Sequence, residues 1–179
     1  MSKIIIDLTK EWIEEFIIAL QICPFAALPM FQGLVDFHSF DSTSDEEFLP
    51  EFLNYLVHFI DERNDFSNAF LVVPNYESFE KYLTLYYKCE ELLNMSGSDT
   101  IVQLASFHPD YRYTDTPVND PSNYRNKAPY AMIHLLRVAE VESAIESFGD
   151  TTKISLNNIN QLKSMKTTDL EKLVSKFKG

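Results

Sequence analysis

Residues 103–137 read QLASFHPDYRYTDTPVNDPSNYRNKAPYAMIHLLR, and this stretch decides the fold. An apolar run typical of a buried strand stops at His108, a segment with neither helical nor strand period follows, and a second apolar run closes the stretch. Long irregular segments inside a domain are usually functional or disordered. Tyr111, Tyr113 and Tyr124 favour order, because disordered segments are usually poor in aromatic residues. The stretch therefore predicts an ordered polar loop on a rigid sheet, where binding sites commonly lie.

Strands and helices alternate along the chain. The pattern predicts strands at 34–40, 69–74, 100–107 and 131–137, the last of which is also compatible with the start of a helix. It predicts helices at 9–22, 44–62 and 76–94, one that ends at Phe148, and two short ones at 157–164 and 168–177. The strand at 100–107 is long and uncharged, which favours a central position. The alternation predicts a single α/β domain over residues 1–179, with a central sheet of about four strands covered by helices.

The charge distribution restricts the class of ligand. The 179 residues carry a net charge of −12, which argues against nucleic acid as a partner, since phosphate binding needs a basic face. Residues 108–137 nevertheless hold four basic and three acidic side chains. A local excess of positive charge favours a small anionic ligand, although these bases could equally pair with neighbouring acids.

A second stretch, Phe16–Val35, lacks charged residues and approaches the length of a membrane span. Pro24, Pro29 and Gly33 interrupt it, so it is better interpreted as a helix end, a turn and the start of a strand. The charged N-terminus does not fit a signal peptide, and the two cysteines lack metal-binding spacing. We expect a soluble cytoplasmic protein with no membrane partner; its oligomeric state stays open.

Three residues are the strongest candidates for catalysis. Cys23 follows the first predicted helix and precedes Pro24 and Pro29, which favour a fixed turn, and it is either a functional thiol or a small buried hydrophobe. His108 follows a strand directly, at the carboxyl end where open α/β sheets place ligands. Asp110 lies two residues further on and could orient the imidazole, as carboxylates do in catalytic triads. The alternative for His108 is a turn residue that bonds to backbone.

Basic and amide side chains of the loop could hold a substrate. Arg112, Arg125, Lys127 and Arg137 suit a carboxylate or phosphate, and Asn126 could cap or bind. His134 lies within an apolar run and is either a core residue or projects into the same cavity. With four glycines, the chain has no Gly-rich phosphate loop, which excludes binding of a nucleotide by that route.

Five landmarks occur together in this chain: ICPFA, QLASFHPDYRY, NDPSNYRNKAPY, HLLR and a late asparagine near Asn158. Their order and spacing resemble the uncharacterised bacterial domain family numbered 1415 over nearly the whole chain. Lys127 and Ala128 stand where that family usually has arginine and serine, Ala131 replaces proline, and Val138 replaces glutamate. No activity is established for the family, so the resemblance implies positions and no reaction. The positions on its signature are Cys23, His108, Asp110, Asn126, Tyr130, His134 and Arg137.

An enzyme of the acyl or amide hydrolase or transferase type is the first expectation. Cys23 would be the nucleophile, His108 the base and Asp110 its orienter. The expected substrate-binding residues are Arg112, Asn126, Lys127, Tyr130, His134 and Arg137. Two alternatives stay open: a metal site built from Cys23, His108 and His134, and a non-catalytic domain that binds an anion or a partner chain. No cofactor is identifiable from the sequence.

Overall fold

Four strands form a mixed sheet in the computed structural model, which describes residues 2–61, 63–150 and 152–179. The strands are β1 (Val35–Ser39), β2 (Asn68–Val72), β3 (Val102–Phe107) and β4 (Met132–Arg137). Their order across the sheet is β1-β2-β4-β3. β1 and β2 are parallel, whereas β4 runs antiparallel to both of its neighbours, so β3 points the same way as β1 and β2.

Helices occupy the segments between and around the strands. The first, α1 (Ser2–Trp12), continues directly into a π-helix (Ile13–Ile18). The others are α2 (Ala27–Gln32), α3 (Asp45–Ile60), α4 (Phe79–Met95), α5 (Val138–Phe148), α6 (Thr152–Ser164) and α7 (Thr167–Ser175). The start of α3 is fixed by Ser44, whose hydroxyl accepts the N–H of Glu47, as the capping box predicts.

One face of the sheet packs against α3 and α4. Alternate residues of the two central strands point to this face, because successive side chains on a strand point to opposite sides. Ala69 and Leu71 on β2, with Ile133 and Leu135 on β4, are fully buried there. The apolar stripes of α3 and α4 cover them, and this cluster forms the larger part of the core.

The other face carries Phe70, Val72 and Met132, which pack against α1, the π-helix, α6 and α7. Both faces of the sheet are therefore covered by helices. The chain is an α/β protein with a central four-stranded sheet, and this fold class confirms the expectation from the sequence.

The segment whose secondary structure was ambiguous forms a strand, β4. Three other expectations were wrong. β3 lies at the edge of the sheet, because β4 inserts between it and β2. Its residues Leu104–Phe107 are half-buried, and its lack of charge says nothing about the number of strands beside it. The first helix begins at Ser2 instead of residue 9, and the short helix α2 occupies part of the stretch expected to be a turn.

Candidate functional site

A cavity of about 840 Å³ lies over the second face of the sheet, and we call it the sheet-face cavity. Asn68, Phe70, Ala105 and His134 contribute to its floor. Its walls come from the π-helix, the turn that precedes α2, helix α5, the start of α6 and the loop between β3 and β4. Cavities that bind small molecules usually enclose about 300–1,000 Å³ and are mostly apolar with a few polar groups.

A row of rings runs across the sheet into the floor of this cavity; it begins at Phe37, which does not line the cavity, and continues through Phe70 and His134, which do. Phe37, Phe70, His134 and Ala105 occupy the same register on β1, β2, β4 and β3. The rings of Phe37 and Phe70 are stacked at 5.6 Å between centroids, with an interplanar angle of 11°. Those of Phe70 and His134 are stacked at 3.9 Å and 8°. At the edge strand the row ends in the methyl group of Ala105.

His134 is a neutral imidazole in this setting. Its Nε2 lies 3.0 Å from Oδ1 of Asn68, and because an amide oxygen only accepts, Nε2 carries the proton. Burial lowers the pKa of His134 to about 3, since desolvation disfavours the charged ring. With Nε2–H committed to Asn68, the remaining ring nitrogen, Nδ1, is an acceptor.

Trp12 contributes a buried donor to the wall. The side chain is fully buried, and its indole N–H has no hydrogen-bond partner among the described residues. Leaving such a group unpaired typically costs about 1–3 kcal/mol, so native proteins rarely do so without a reason. Trp12 also ends α1 where the π-helix begins, and π-helical turns occur frequently at functional sites.

Cys23 lies in the same wall, in the turn that leads to α2. Its side chain is half-buried. Burial raises the pKa of the Cys23 thiol above its usual value, and the nearby backbone N–H groups of Phe25 and Ala26 offset this only in part. At neutral pH the sulfur is therefore a thiol, and thiols are poor nucleophiles compared with thiolates.

The loop between β3 and β4 is ordered by its own amide side chains. Asn123 is fully buried; its Oδ1 accepts the N–H of Tyr113, and its Nδ2 donates to the carbonyl of Pro117 at 2.9 Å. Asn126 donates to the carbonyl of Ser106 at 2.9 Å and accepts the hydroxyl of Tyr113. Asn126 also lines the sheet-face cavity, so the loop between β3 and β4 supplies a polar part of the wall.

Two arginines line the cavity, and both are engaged with protein groups. Arg137 donates from Nε to the carbonyl of Phe66 at 2.8 Å and from Nη2 to the carbonyls of Phe59 and Asn64. It thereby ties the end of α3 to β4. Arg125 lies over the ring of Tyr113 and donates from Nη1 to Ser155 at 2.9 Å.

His108 lies outside this cavity, on the α4 side of the sheet. Ala105 and Phe107 of β3 line the cavity, so alternation along the strand directs His108 to the opposite side. The ring is fully buried between Phe79 and Tyr82, each 5.2 Å away between centroids. Its Nδ1 accepts the backbone N–H of Asp110 at 2.9 Å, and its Nε2 donates to the carbonyl of Tyr76 at 3.0 Å. Burial lowers the pKa of His108 as well.

The remaining predicted residues are divided between other surfaces. The backbone N–H of Asp110, instead of its exposed carboxylate, orients His108. Asp110 and Lys127 border a separate groove of about 600 Å³ beside α7. Arg112 is exposed, and the hydroxyl of Tyr130 accepts the N–H of Gly179. The sheet-face cavity thus brings together Cys23, Asn126, His134 and Arg137, and it includes neither His108 nor Asp110.

Several residues of the cavity were not identified from the sequence. Trp12 falls within the helix predicted at 9–22, and Asn68 lies one residue before the strand predicted at 69–74. Gln103 and Ala105 could have been found from the two-residue period of β3, which puts them on one face with Phe107. The row that joins Ala105 to His134 depends on strand order, for which the sequence carries no local signal.

Two further properties concern the described part of the chain. It contains no group of three or more side chains of histidine, cysteine, aspartate or glutamate that could hold a metal ion. None of its helices combines the length and the apolar character needed to cross a bilayer.

The fold and the cavity define an α/β protein with a cavity of small-molecule size on one face of its sheet. The model of the family DUF1415, described as a protein of unknown function, matches residues 4–172, and the chain belongs to that family. No curated protein and no solved structure matches the chain.

Proposed function

We propose that this protein binds a small organic molecule in the sheet-face cavity. The observation that carries the proposal is the cavity itself: about 840 Å³, walled by apolar side chains, with a few polar groups directed toward a common space. This combination is typical of small-molecule sites. The π-helix that lines it is a second support, since such irregular turns are often retained for function.

The electrostatics of the cavity favour a ligand whose buried part is uncharged. His134 stays neutral over the physiological range, and Cys23 stays a thiol. Arg137 is committed to backbone carbonyls. Arg125 keeps donors beyond its bonds to Ser122 and Ser155, and it suits an acidic group of the ligand. The proposal therefore retains an anionic ligand, with the charge near Arg125 and an uncharged body over the sheet.

Catalysis by Cys23 is the second candidate. The sulfur lies in the cavity wall, where a bound acyl or amide group would meet it. Against this, its pKa is raised, and His108 has both ring nitrogens engaged with backbone outside the cavity. A nucleophilic cysteine needs a nearby base or a lowered pKa. Binding therefore ranks before acyl or amide transfer.

The proposal extends to the cellular compartment and the class of partner of this protein. Both cysteines are free thiols, which suits a reducing compartment such as the cytoplasm of a bacterium. The net charge of −12 supports a small molecule over nucleic acid as the partner.

The single tryptophan offers a direct test, because Trp12 lies in the cavity wall and reports its occupancy by fluorescence. Decanoate and 2-naphthoate are titrated into the purified protein, and thermal shift is followed in parallel. Saturable changes with a raised melting temperature are expected for at least one probe. Independently, mass spectrometry of the denatured protein is expected to detect a small molecule that copurifies.

A matched pair of variants locates the binding. Ala144→Phe fills space at the α5 wall, whereas Ala139→Phe makes the same change on the same helix outside the cavity. We expect at least tenfold weaker binding for the first and unchanged binding for the second. Equal affinity in both variants, or no saturable binding of either probe by the wild type, would refute the proposal.

A further inference from the structure

The floor of the sheet-face cavity has a gap in its row of rings. Phe37, Phe70 and His134 are stacked in nearly parallel planes across β1, β2 and β4. The same register on β3 holds Ala105, which is directly opposite His134. Phe70 covers one face of the imidazole, whereas the methyl group of Ala105 is too small to cover the other. Both His134 and Ala105 line the cavity.

We infer that the ligand of this cavity carries a planar aromatic or heteroaromatic ring that stacks on His134 above Ala105 and completes the row. The inference rests on the proposed function, since it names the class of molecule that the same site takes. Aromatic groups prefer offset-stacked or edge-to-face neighbours, and the site offers both. His134 presents a ring face, and Phe107 lies 6.1 Å from it between centroids at an angle of 54°.

The polar groups around the gap suit the edge of such a ring. Gln103 follows the same face of β3 two residues before Ala105, and Asn126 lies in the adjoining wall. Trp12 packs edge-on against Phe107, 5.8 Å away between centroids, and closes the wall beside them. An acceptor on the ligand, such as a ring nitrogen or a carbonyl, would pair with the side-chain amide N–H of Gln103.

The charge state of the site agrees with this class. An imidazole that stays neutral stacks on a neutral ring without the cost of burying a cation. A cationic ligand would find no carboxylate among the floor residues, which are Asn68, Phe70, Ala105 and His134; the carboxylate that lines the cavity, Glu140, belongs to the α5 wall. An aromatic carboxylate fits the whole site, because its ring would lie over Ala105 and its acid group would extend toward Arg125, another lining residue.

The test compares a flat probe with its saturated counterpart. 2-Naphthoate and decahydro-2-naphthoate share size and charge and differ in planarity. Dissociation constants are measured by calorimetry for the wild type, Ala105→Phe and Ala144→Phe. We expect the wild type to prefer 2-naphthoate at least tenfold. Ala105→Phe fills the gap and should abolish this preference, whereas Ala144→Phe should weaken both probes and keep their ratio.

Each outcome bears on a different claim. If neither probe binds the wild type, the proposed function fails together with the inference. If both bind with similar affinity, binding in the cavity stands and the planar class is wrong. A preference for 2-naphthoate that survives Ala105→Phe also overturns the inference, because the ring then lies elsewhere.

A second measurement uses only the wild-type protein, so it does not depend on whether a variant folds. In proton NMR of the wild type, 2-naphthoate should shift the ring protons of His134 upfield through its ring current, and decahydro-2-naphthoate should not. Saturable binding that leaves the His134 signals in place would contradict stacking at this position. Shifts of equal size with both probes would also contradict it.

Discussion

The side chains of His134 and Asn68 form a hydrogen-bonded pair across β4 and β2, with Nε2 and Oδ1 3.0 Å apart. The pair fixes the tautomer of the imidazole and leaves Nδ1 as an acceptor in the sheet-face cavity. It explains why a histidine is tolerated in a floor of mostly apolar side chains. Its Nε2–H is hydrogen-bonded to Asn68, and its ring stacks on Phe70.

The first prediction concerns acid stability. The pKa of His134 is about 3 in the folded state and 6.5 in its ordinary state, so between these values the unfolded chain binds the additional proton. Stability is therefore lost as pH falls below 6.5 and is unaffected by this group above it. At one pH unit below 6.5 the loss is about 1.4 kcal/mol.

The measurement is urea unfolding from pH 7.5 to 4.5 for the wild type and His134→Gln, which keeps a donor toward Asn68. As the pH falls, the unfolding free energy of the variant should decline less steeply than that of the wild type. The difference in slope should correspond to about one bound proton. The decline will not vanish, because burial also lowers the pKa of His108. Identical slopes for both proteins would contradict a neutral His134.

A second prediction separates His108 from Asp110. His108→Ala removes bonds to the N–H of Asp110 and the carbonyl of Tyr76 and opens space between two rings. We expect a loss of about 2–4 kcal/mol in unfolding free energy. Asp110→Ala keeps the backbone N–H and should change stability by less than about 0.5 kcal/mol.

The same pair tests whether Asp110 belongs to the ligand site. If it did, removing its carboxylate would impair binding without loss of stability. Here Asp110→Ala is expected to bind 2-naphthoate as the wild type does. A marked loss of ligand binding in Asp110→Ala, with stability intact, would show that the His108–Asp110 pair contributes to the ligand site.

The third prediction concerns Arg137. Its guanidinium reaches carbonyls of Phe59, Asn64 and Phe66 at once. Lysine presents one ammonium group and cannot reproduce this fork, so Arg137→Lys should lower the free energy of unfolding by about 1–3 kcal/mol. Arg112→Lys, at an exposed position, is the matched control and should leave it nearly unchanged. Equal unfolding midpoints in denaturant would contradict a structural role for Arg137.

The fourth prediction concerns the reactivity of Cys23. Because burial raises its pKa, alkylation by iodoacetamide should be slower at pH 7.5 than that of free cysteine and should accelerate as the pH rises above 9. Peptide mapping by mass spectrometry separates Cys23 from the fully buried Cys89, which should react more slowly still. Saturating 2-naphthoate should protect Cys23. A rate that levels off below pH 7 would instead indicate a catalytic thiolate.

The sequence predicted much of the architecture, because periodicity records burial. The apolar stripes of α3 and α4, the strand β4 and the ordered loop behind β3 were all anticipated from local pattern. The edge position of β3 was missed, since the absence of charge along a strand carries no information about which strands lie beside it. The early start of α1 was missed because its first turns hold three consecutive isoleucines, Ile4 to Ile6, and periodicity alone does not assign such a short apolar run to a helix.

By itself, the sequence determined which residues are chemically capable: a cysteine in a turn, two histidines and the polar loop that separates them. Only the tertiary structure decided which of them share a space. Strand order placed Ala105 beside His134, and the direction of side chains at the end of β3 turned His108 toward α4. Such placements depend on contacts between segments distant in sequence, and local propensities do not encode them.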